Sequence, residues 1–206
     1  MAHIHKATLR PTKIDLLRAW LPTRPWFDAD GELQRVGAYR FDDPAGQVGI
    51  EASLIRSGDG TVFHVPLTYR DAPLPGAEAF LVGTAEHSVL GQRWVYDGCG
   101  DPVAMTAFAT AILTGGTQAQ EYVDVGGRLE PLPPTVTVAG SGNRPEPSTE
   151  IHAVRCHDEG PTTVVRAAGI EVVVARVVGT EISVDETLAG RWDDGESVVL
   201  AGLRLV

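Results

Sequence analysis

The segment 101–116, DPVAMTAFATAILTGG, constrains the fold of this chain more than any other. Asp101 is placed to cap a helix and Pro102 occupies its first turn, where a missing N–H costs nothing. Val103, Phe108, Ile112 and Leu113 supply an apolar stripe, and Gly115 stops the helix. A shorter helical pattern precedes it in PTKIDLLRAWLP. There Thr12 can cap, Asp15 completes a capping-box arrangement, Ile14, Leu17 and Leu21 recur at helical spacing, and Pro22 ends the run. Both helices lie in the first half, and nearly everything else reads as strands.

Residues 39–42, 48–56 and 61–69 are strand candidates, the last two joined by the turn SGDG, where Gly58 and Gly60 tolerate tight geometry. Within 61–69 the alternation places Phe63, Val65, Leu67 and Tyr69 on an apolar face. Pro66 cannot donate to a ladder, which predicts an edge strand or a bulge there. Residues 79–89, 93–97, 118–125, 151–156, 162–167, 171–178 and 197–206 continue the strand pattern. PLPPT (131–135) and SGNRPEPST (141–149) mark connections. The expected class is α+β, with a curved, mostly antiparallel sheet, two main helices in the first half and a β-rich second half.

The net charge of −10 disfavours nucleic acid and anionic membrane surfaces as partners. No apolar run approaches the roughly 18 residues of a membrane helix. MAHIHKATLRPTK lacks the apolar core of a secretory signal, so a cytoplasmic protein is expected. Cys99 and Cys156, far apart in sequence, are expected as reduced thiols, a disulfide or a metal pair being the alternatives. No metal and no cofactor is expected. His3 and His5 alternate, while His64, His87, His152 and His157 are scattered, and all are read as surface or structural residues. Asp42, Asp43 and Glu51 are read as a solvated acidic loop, without the spacing of a calcium loop. Glu86, His87, Ser88 and Asp97 suggest a triad, but neighbours on a strand face opposite ways. Trp20, Trp26 and Phe27 should pin the first helix to the sheet, a ligand platform being the sharper option. Arg93, Trp94, Tyr96 and Asp97 combine aromatic faces with polar handles, as sugar sites do. They are the candidate ligand-binding residues, and no catalytic residue is assigned.

Four words in order, ATLRPTKIDLLRAWLPTRPWF, GAYRFDDPAGQVGIE, VFHVPLTYRDAPLPGAE and EHSVLGQRWVYDGCGDPV, resemble the N-terminal cap domain of actinobacterial maltokinases and its stand-alone relatives. The likeness spans about residues 1–125. It implies a cap-like domain over 1–130, a β-rich subdomain over 131–206, and a link to α-glucan, maltose or trehalose metabolism. In the family the cap is followed by a kinase N-lobe subdomain with a phosphate-gripping lysine. HDEGPTTVV and GIEVVVARVVG resemble a degenerate form of its strand pair, with Ala175 where that lysine belongs. Phosphoryl transfer needs such a cation, carboxylates for magnesium and a base, and none of these is recognisable in this sequence. The resemblance therefore implies a non-catalytic accessory or regulatory module working through a sugar kinase or another enzyme of glycogen or trehalose metabolism. The alternative is direct binding of a sugar, sugar phosphate or nucleotide. An unrecognised enzyme is the third option, but the paired carboxylates of a branching enzyme are not evident.

Overall fold

The computed structural model describes residues 2–4, 8–146, 150–167 and 169–206. In chain order its elements are β1 (Ala2–Ile4), β2 (Leu9–Arg10), α1 (Lys13–Trp20), β3 (Gln34–Phe41), β4 (Gly49–Arg56), β5 (Val62–Arg70), β6 (Leu81–His87), β7 (Gly91–Asp97) and α2 (Pro102–Thr114). They continue with β8 (Glu121–Val125), β9 (Arg128–Pro131), β10 (Val136–Gly140), β11 (Arg155–Glu159), β12 (Thr162–Ala167), β13 (Ile170–Ala175), β14 (Glu186–Trp192) and β15 (Val198–Leu205). The first large sheet runs β2-β6-β7-β5-β4-β3 and the second β10-β14-β15-β13-β12-β11, each antiparallel throughout. A small third sheet, β1-β8-β9, contains one parallel pair, β1 with β8. The molecule is α+β with a β-rich second half, as its sequence pattern implies.

The helices begin where local chemistry dictates. Thr12 and Asp15 form a reciprocal capping box at α1. The Asp101 carboxylate accepts the Val103 N–H at 3.0 Å, and Gly115 ends α2 in the left-handed conformation at φ 70°. Of the two, α1 covers one face of the first sheet. Leu17, Trp20 and Leu21 pack with Trp26, Ile55, Phe63, Val65, Leu67 and Val95 there. Trp20 and Trp26 meet edge-on at 5.8 Å, so these rings pin α1 to the sheet.

By contrast, α2 lies between the sheets. Met105, Phe108 and Ile112 bury against Tyr39, Phe41, Ile50 and Leu54 of the first sheet and Val138, Val172, Val174, Leu188, Leu200 and Leu203 of the second. Its small residues let backbones approach closely. A Cβ at Gly140 would fall 1.9 Å from the Ala111 carbonyl oxygen, so only glycine fits. The segment 141–144 then docks on the end of α2. Gly142 and Arg144 N–H groups donate to the Ile112 and Leu113 carbonyls, both at 2.9 Å, satisfying acceptors that a helix end leaves open. The last residues of SGNRPEPST, 147–149, lie outside the described residues.

Pro66 corrects one expectation. Strand β5 is central, flanked by β4 and β7. The His64 N–H, facing away from β4, donates to the Arg176 carbonyl at 2.9 Å. Two residues on, the Pro66 nitrogen faces the same side. The β5–β7 register begins only at Leu67, opposite Asp97. Proline thus sits where β5 changes partner, a gap in the ladder inside the sheet rather than at its edge. Because α2 covers the second face of this strand, His64 and Thr68 are fully buried as well.

Candidate functional site

The four candidate ligand residues lie along β7, between β6 and β5. Strand alternation puts Trp94 and Tyr96 on one face and Arg93 and Asp97 on the other. Tyr96 is buried, and its hydroxyl accepts the Leu74 N–H at 2.9 Å. Trp94 is half-buried, opposite Thr84 and Arg70. Arg93 is half-buried too and donates to the Leu90 carbonyl, within its own hairpin. Asp97 points inward. The four therefore do not converge on one surface.

Asp97 instead belongs to a sealed polar junction between the two large sheets. The chain leaving β13 runs beside β5. Val178 N–H donates to the Val62 carbonyl at 2.8 Å, and Phe63 bridges Val177. This path carries Arg176 into the interior, where it is 1% exposed. Its Nη2 donates to Asp97 Oδ2 at 2.6 Å and its Nε to Thr163 Oγ1 at 2.7 Å. The Thr163 hydroxyl donates onward to Asp158 at 2.5 Å, and the guanidinium lies 4.8 Å from the Trp26 ring centre. The other Asp97 oxygen accepts the Cys99 N–H at 3.1 Å, beginning the tight turn that leads into α2. Burial opposes the charge on Arg176, but Asp97 first, with Cys99 and Asp158 adding to it, outweighs that cost, so the guanidinium pKa lies above its usual value.

The cysteines flank this junction. Cys156 Sγ donates to the Cys99 carbonyl at 2.8 Å, and both thiols are free. Burial, reinforced by Asp97, pushes Cys156 up to about 12, and burial also raises Cys99. Both therefore stay protonated near neutrality and are poor nucleophiles. His64 stacks on Tyr39 and lies 2.9 Å from its hydroxyl. Burial first, and Arg176 second, lower its pKa to about 3, so it is a neutral core histidine. This arrangement holds charge in place; it presents no base beside a nucleophile.

The remaining candidates are dispersed. Ser88 Oγ accepts the Thr8 N–H, His87 Nδ1 accepts from Leu90 N–H at 3.1 Å, and Asp97 lies at the far end of β7. No triad forms among them. Asp43 does cap its loop, accepting N–H groups from Ala45, Gln47 and Val48. Glu51 does not belong to that loop. It lies within β4 at 3% exposure, because strand alternation turns it toward α1, where Lys13 meets it. His157 lies 2.7 Å from Glu159, and His152 is exposed. His5 and the His3 side chain lie outside the described residues. Among the described residues no group of three or more His, Cys, Asp and Glu side chains converges as a metal site would require.

Ala175 closes β13, fully buried and opposite Thr162. The cation of this strand is the next residue, turned into the junction. Sequence reasoning passed over Arg176, although a lone arginine inside the apolar run VVVARVV is the signal that could have marked it. No helix among the described residues is long and apolar enough to cross a membrane.

Residues 20–101 match the family model of the maltokinase N-terminal cap domain. The match starts at the end of α1 and stops at the cap of α2, so it contains β3 to β7, most of the first sheet. No curated protein matches the chain.

Proposed function

We propose, with this maltokinase-cap-like segment as premise, that the chain is a non-catalytic accessory or regulatory module acting through a partner enzyme. The partner on this reading is a cytoplasmic sugar kinase or another enzyme of α-glucan, maltose or trehalose metabolism. The observation that carries the proposal is the fate of the cation in β13. A kinase N-lobe needs an amine free to hold phosphates. Here the corresponding position, by the resemblance, is the buried methyl of Ala175, and Arg176 beside it is taken up by Asp97 and Thr163. A buried cation engaged in this way favours a rigid docking body over a nucleotide cleft.

The test combines the purified chain with a maltokinase from the same organism. Sedimentation should show a stoichiometric complex, and the kinase's KM or kcat for maltose should change. The chain alone should transfer no phosphate from ATP to maltose or trehalose. Phosphoryl transfer by the chain alone would overturn the proposal, and so would failure to bind the kinase at about 100 μM, a level that captures even weak complexes. A thermal shift with maltose, trehalose or ATP, without kinase binding, would favour direct ligand binding instead.

A further inference from the structure

The second large sheet ends in a strand with one side open. β11 forms its border and pairs with β12 alone. Glu159 and Thr162 flank the tight turn of Gly160 and Pro161, so they exchange backbone hydrogen bonds, as do His157 with Val164 and Arg155 with Arg166. The N–H and C=O groups of Cys156 and Asp158 therefore point away from the sheet. Among the described residues no backbone group bonds to them, and Asp158 is exposed. The other long borders are closed. Along β3 the Ala119 N–H donates to the Arg40 carbonyl at 2.8 Å and the Ala38 N–H to Thr135 Oγ1 at 2.9 Å. Along β10 the Gly140 N–H donates to the Gly116 carbonyl at 2.9 Å and the Val138 N–H to Gln118 Oε1 at 2.8 Å. β11 carries neither a bulge nor a proline, so it remains a template for a further strand.

The sequence of this strand, RCHDE, is its own complement in charge. Alternation turns Cys156 and Asp158 inward, where they meet the Cys99 carbonyl and the Thr163 hydroxyl. Arg155, His157 and Glu159 stand on the outer face, all exposed. Arg155 lies directly opposite Arg166 of β12, a like-charge pair. Arg166 is held by Glu171, whereas Arg155 has no ion pair among the described residues. At the other end of the strand the Glu159 carboxylate meets His157 at 2.7 Å and is 59% exposed. A free cation and an exposed carboxylate thus bracket a strand edge whose backbone groups are unpaired.

We infer that a second copy of this chain docks on this edge, the two β11 strands running antiparallel about a two-fold axis at His157. Outward backbone groups come from Cys156 and Asp158, so three registers are open. Cys156 opposite itself leaves Glu159 beyond the facing strand. Asp158 opposite itself sets two carboxylates against each other on the axis. Cys156 opposite Asp158 lets each such pair exchange its backbone bonds, and sets Arg155 of each copy against Glu159 of the other. The charges therefore select the third register. Because both halves of the match lie in one segment, the contact closes as a symmetric dimer, and the two six-stranded sheets become continuous. The net charge of −10 on each copy opposes association, but salt screens it beyond about 8 Å at physiological ionic strength, while the Arg155–Glu159 pairs are in contact. The dimer goes beyond the accessory role and is measured without any kinase, so either idea can fail without the other.

The experiment is sedimentation of the full chain from about 1 μM to about 1 mM at physiological salt, a range that captures a small, weak interface. A reversible monomer–dimer equilibrium, with Kd on the order of 10–100 μM, is the expected result. Arg155→Glu should weaken it at least about tenfold, because it places like charges opposite each other on both sides of the axis. The double variant Arg155→Glu with Glu159→Arg should return to within about threefold of the parent, since it restores both pairs with their signs exchanged. These side chains are exposed, so the variants should keep the parent's melting temperature at concentrations where the chain is monomeric. His157→Cys reads the register. Facing residues at this position in an antiparallel pair have Cα atoms about 4.5 Å apart, within disulfide reach. With oxidised glutathione it should give a covalent dimer on a non-reducing gel, where the parent gives none. A chain still monomeric at about 1 mM overturns the inference. So does a dimer that Arg155→Glu leaves intact, or one that His157→Cys does not make covalent.

Discussion

Two carboxylates in this molecule are held by arginine in opposite circumstances. Asp97 is sealed between the sheets with Arg176, which is 79 residues away in sequence. Glu171 lies on the outer face of the second sheet, gripped by Arg166 and Arg204 from the strands on either side. Its partners are 59% and 40% exposed, whereas Arg176 is 1% exposed. The Glu171 grip follows from register alone, since Arg166 and Arg204 stand directly opposite it on β12 and β15. The Asp97 pair follows only from how two sheets meet. Asp97 and Arg176 have no water to replace a lost interaction, whereas Glu171, itself 3% exposed, is held by two arginines that keep theirs.

The sharpest way to break this contrast is to remove one member of the sealed pair. Asp97→Ala or Arg176→Ala should cost about 3–5 kcal/mol in chemical denaturation, because either leaves an uncompensated buried charge. The double variant Asp97→Leu with Arg176→Met should recover most of that loss. If the double variant is as unstable as the singles, the pair's geometry rather than its desolvated charge is what matters.

His64, across β5 from the same junction, predicts an acid response. Its folded pKa is about 3 against an ordinary 6.5. Between those values the unfolded chain binds the proton and the folded one does not, so stability falls as pH drops through that window. His64→Gln should flatten this part of the stability–pH curve; an unchanged slope would remove His64 from the response.

Asp101 is the intermediate case. It is fully buried, but Arg70, which donates to both its oxygens at 2.7 Å, is 19% exposed. Asp101→Ala should cost about 1–2 kcal/mol, the scale of a lost helix cap, by thermal or chemical denaturation. The smallest effect in chemical denaturation is expected at Glu171→Gln, below about 1 kcal/mol at neutral pH, because Glu171 is itself 3% exposed but both its arginines keep water. A large shift there would erase the distinction between the two carboxylates.

The caps of both helices, the SGDG turn and most strand runs were legible because they are local. A capping box spans four residues, and alternation declares itself within six or seven. Strands β10 and β14 were not placed individually because VTVAG and ETLAGRW are short and mixed, and they become strands by pairing with each other. The candidate patch on β7 was legible as an alternation of Trp94 and Tyr96 against Arg93 and Asp97. It was not legible as a place, since the inward turn of Asp97 depends on Arg176 arriving from the second sheet. Glu51 misled for the same reason: its acidic neighbours suggested a loop, and only Lys13 and Arg40 make its burial tolerable.

From its own letters this chain determined two capped helices, a dominant antiparallel strand content and a cap-like first sheet, because hydrogen-bond caps and side-chain periodicity act over a few residues. Tertiary structure alone decided that α2 is sandwiched, that β5 passes from β7 to Arg176–Val178 across a proline gap, and that Asp97 meets Arg176. Those outcomes depend on contacts distant in sequence, whose energy is gained only once both sheets exist and water has left the space between them.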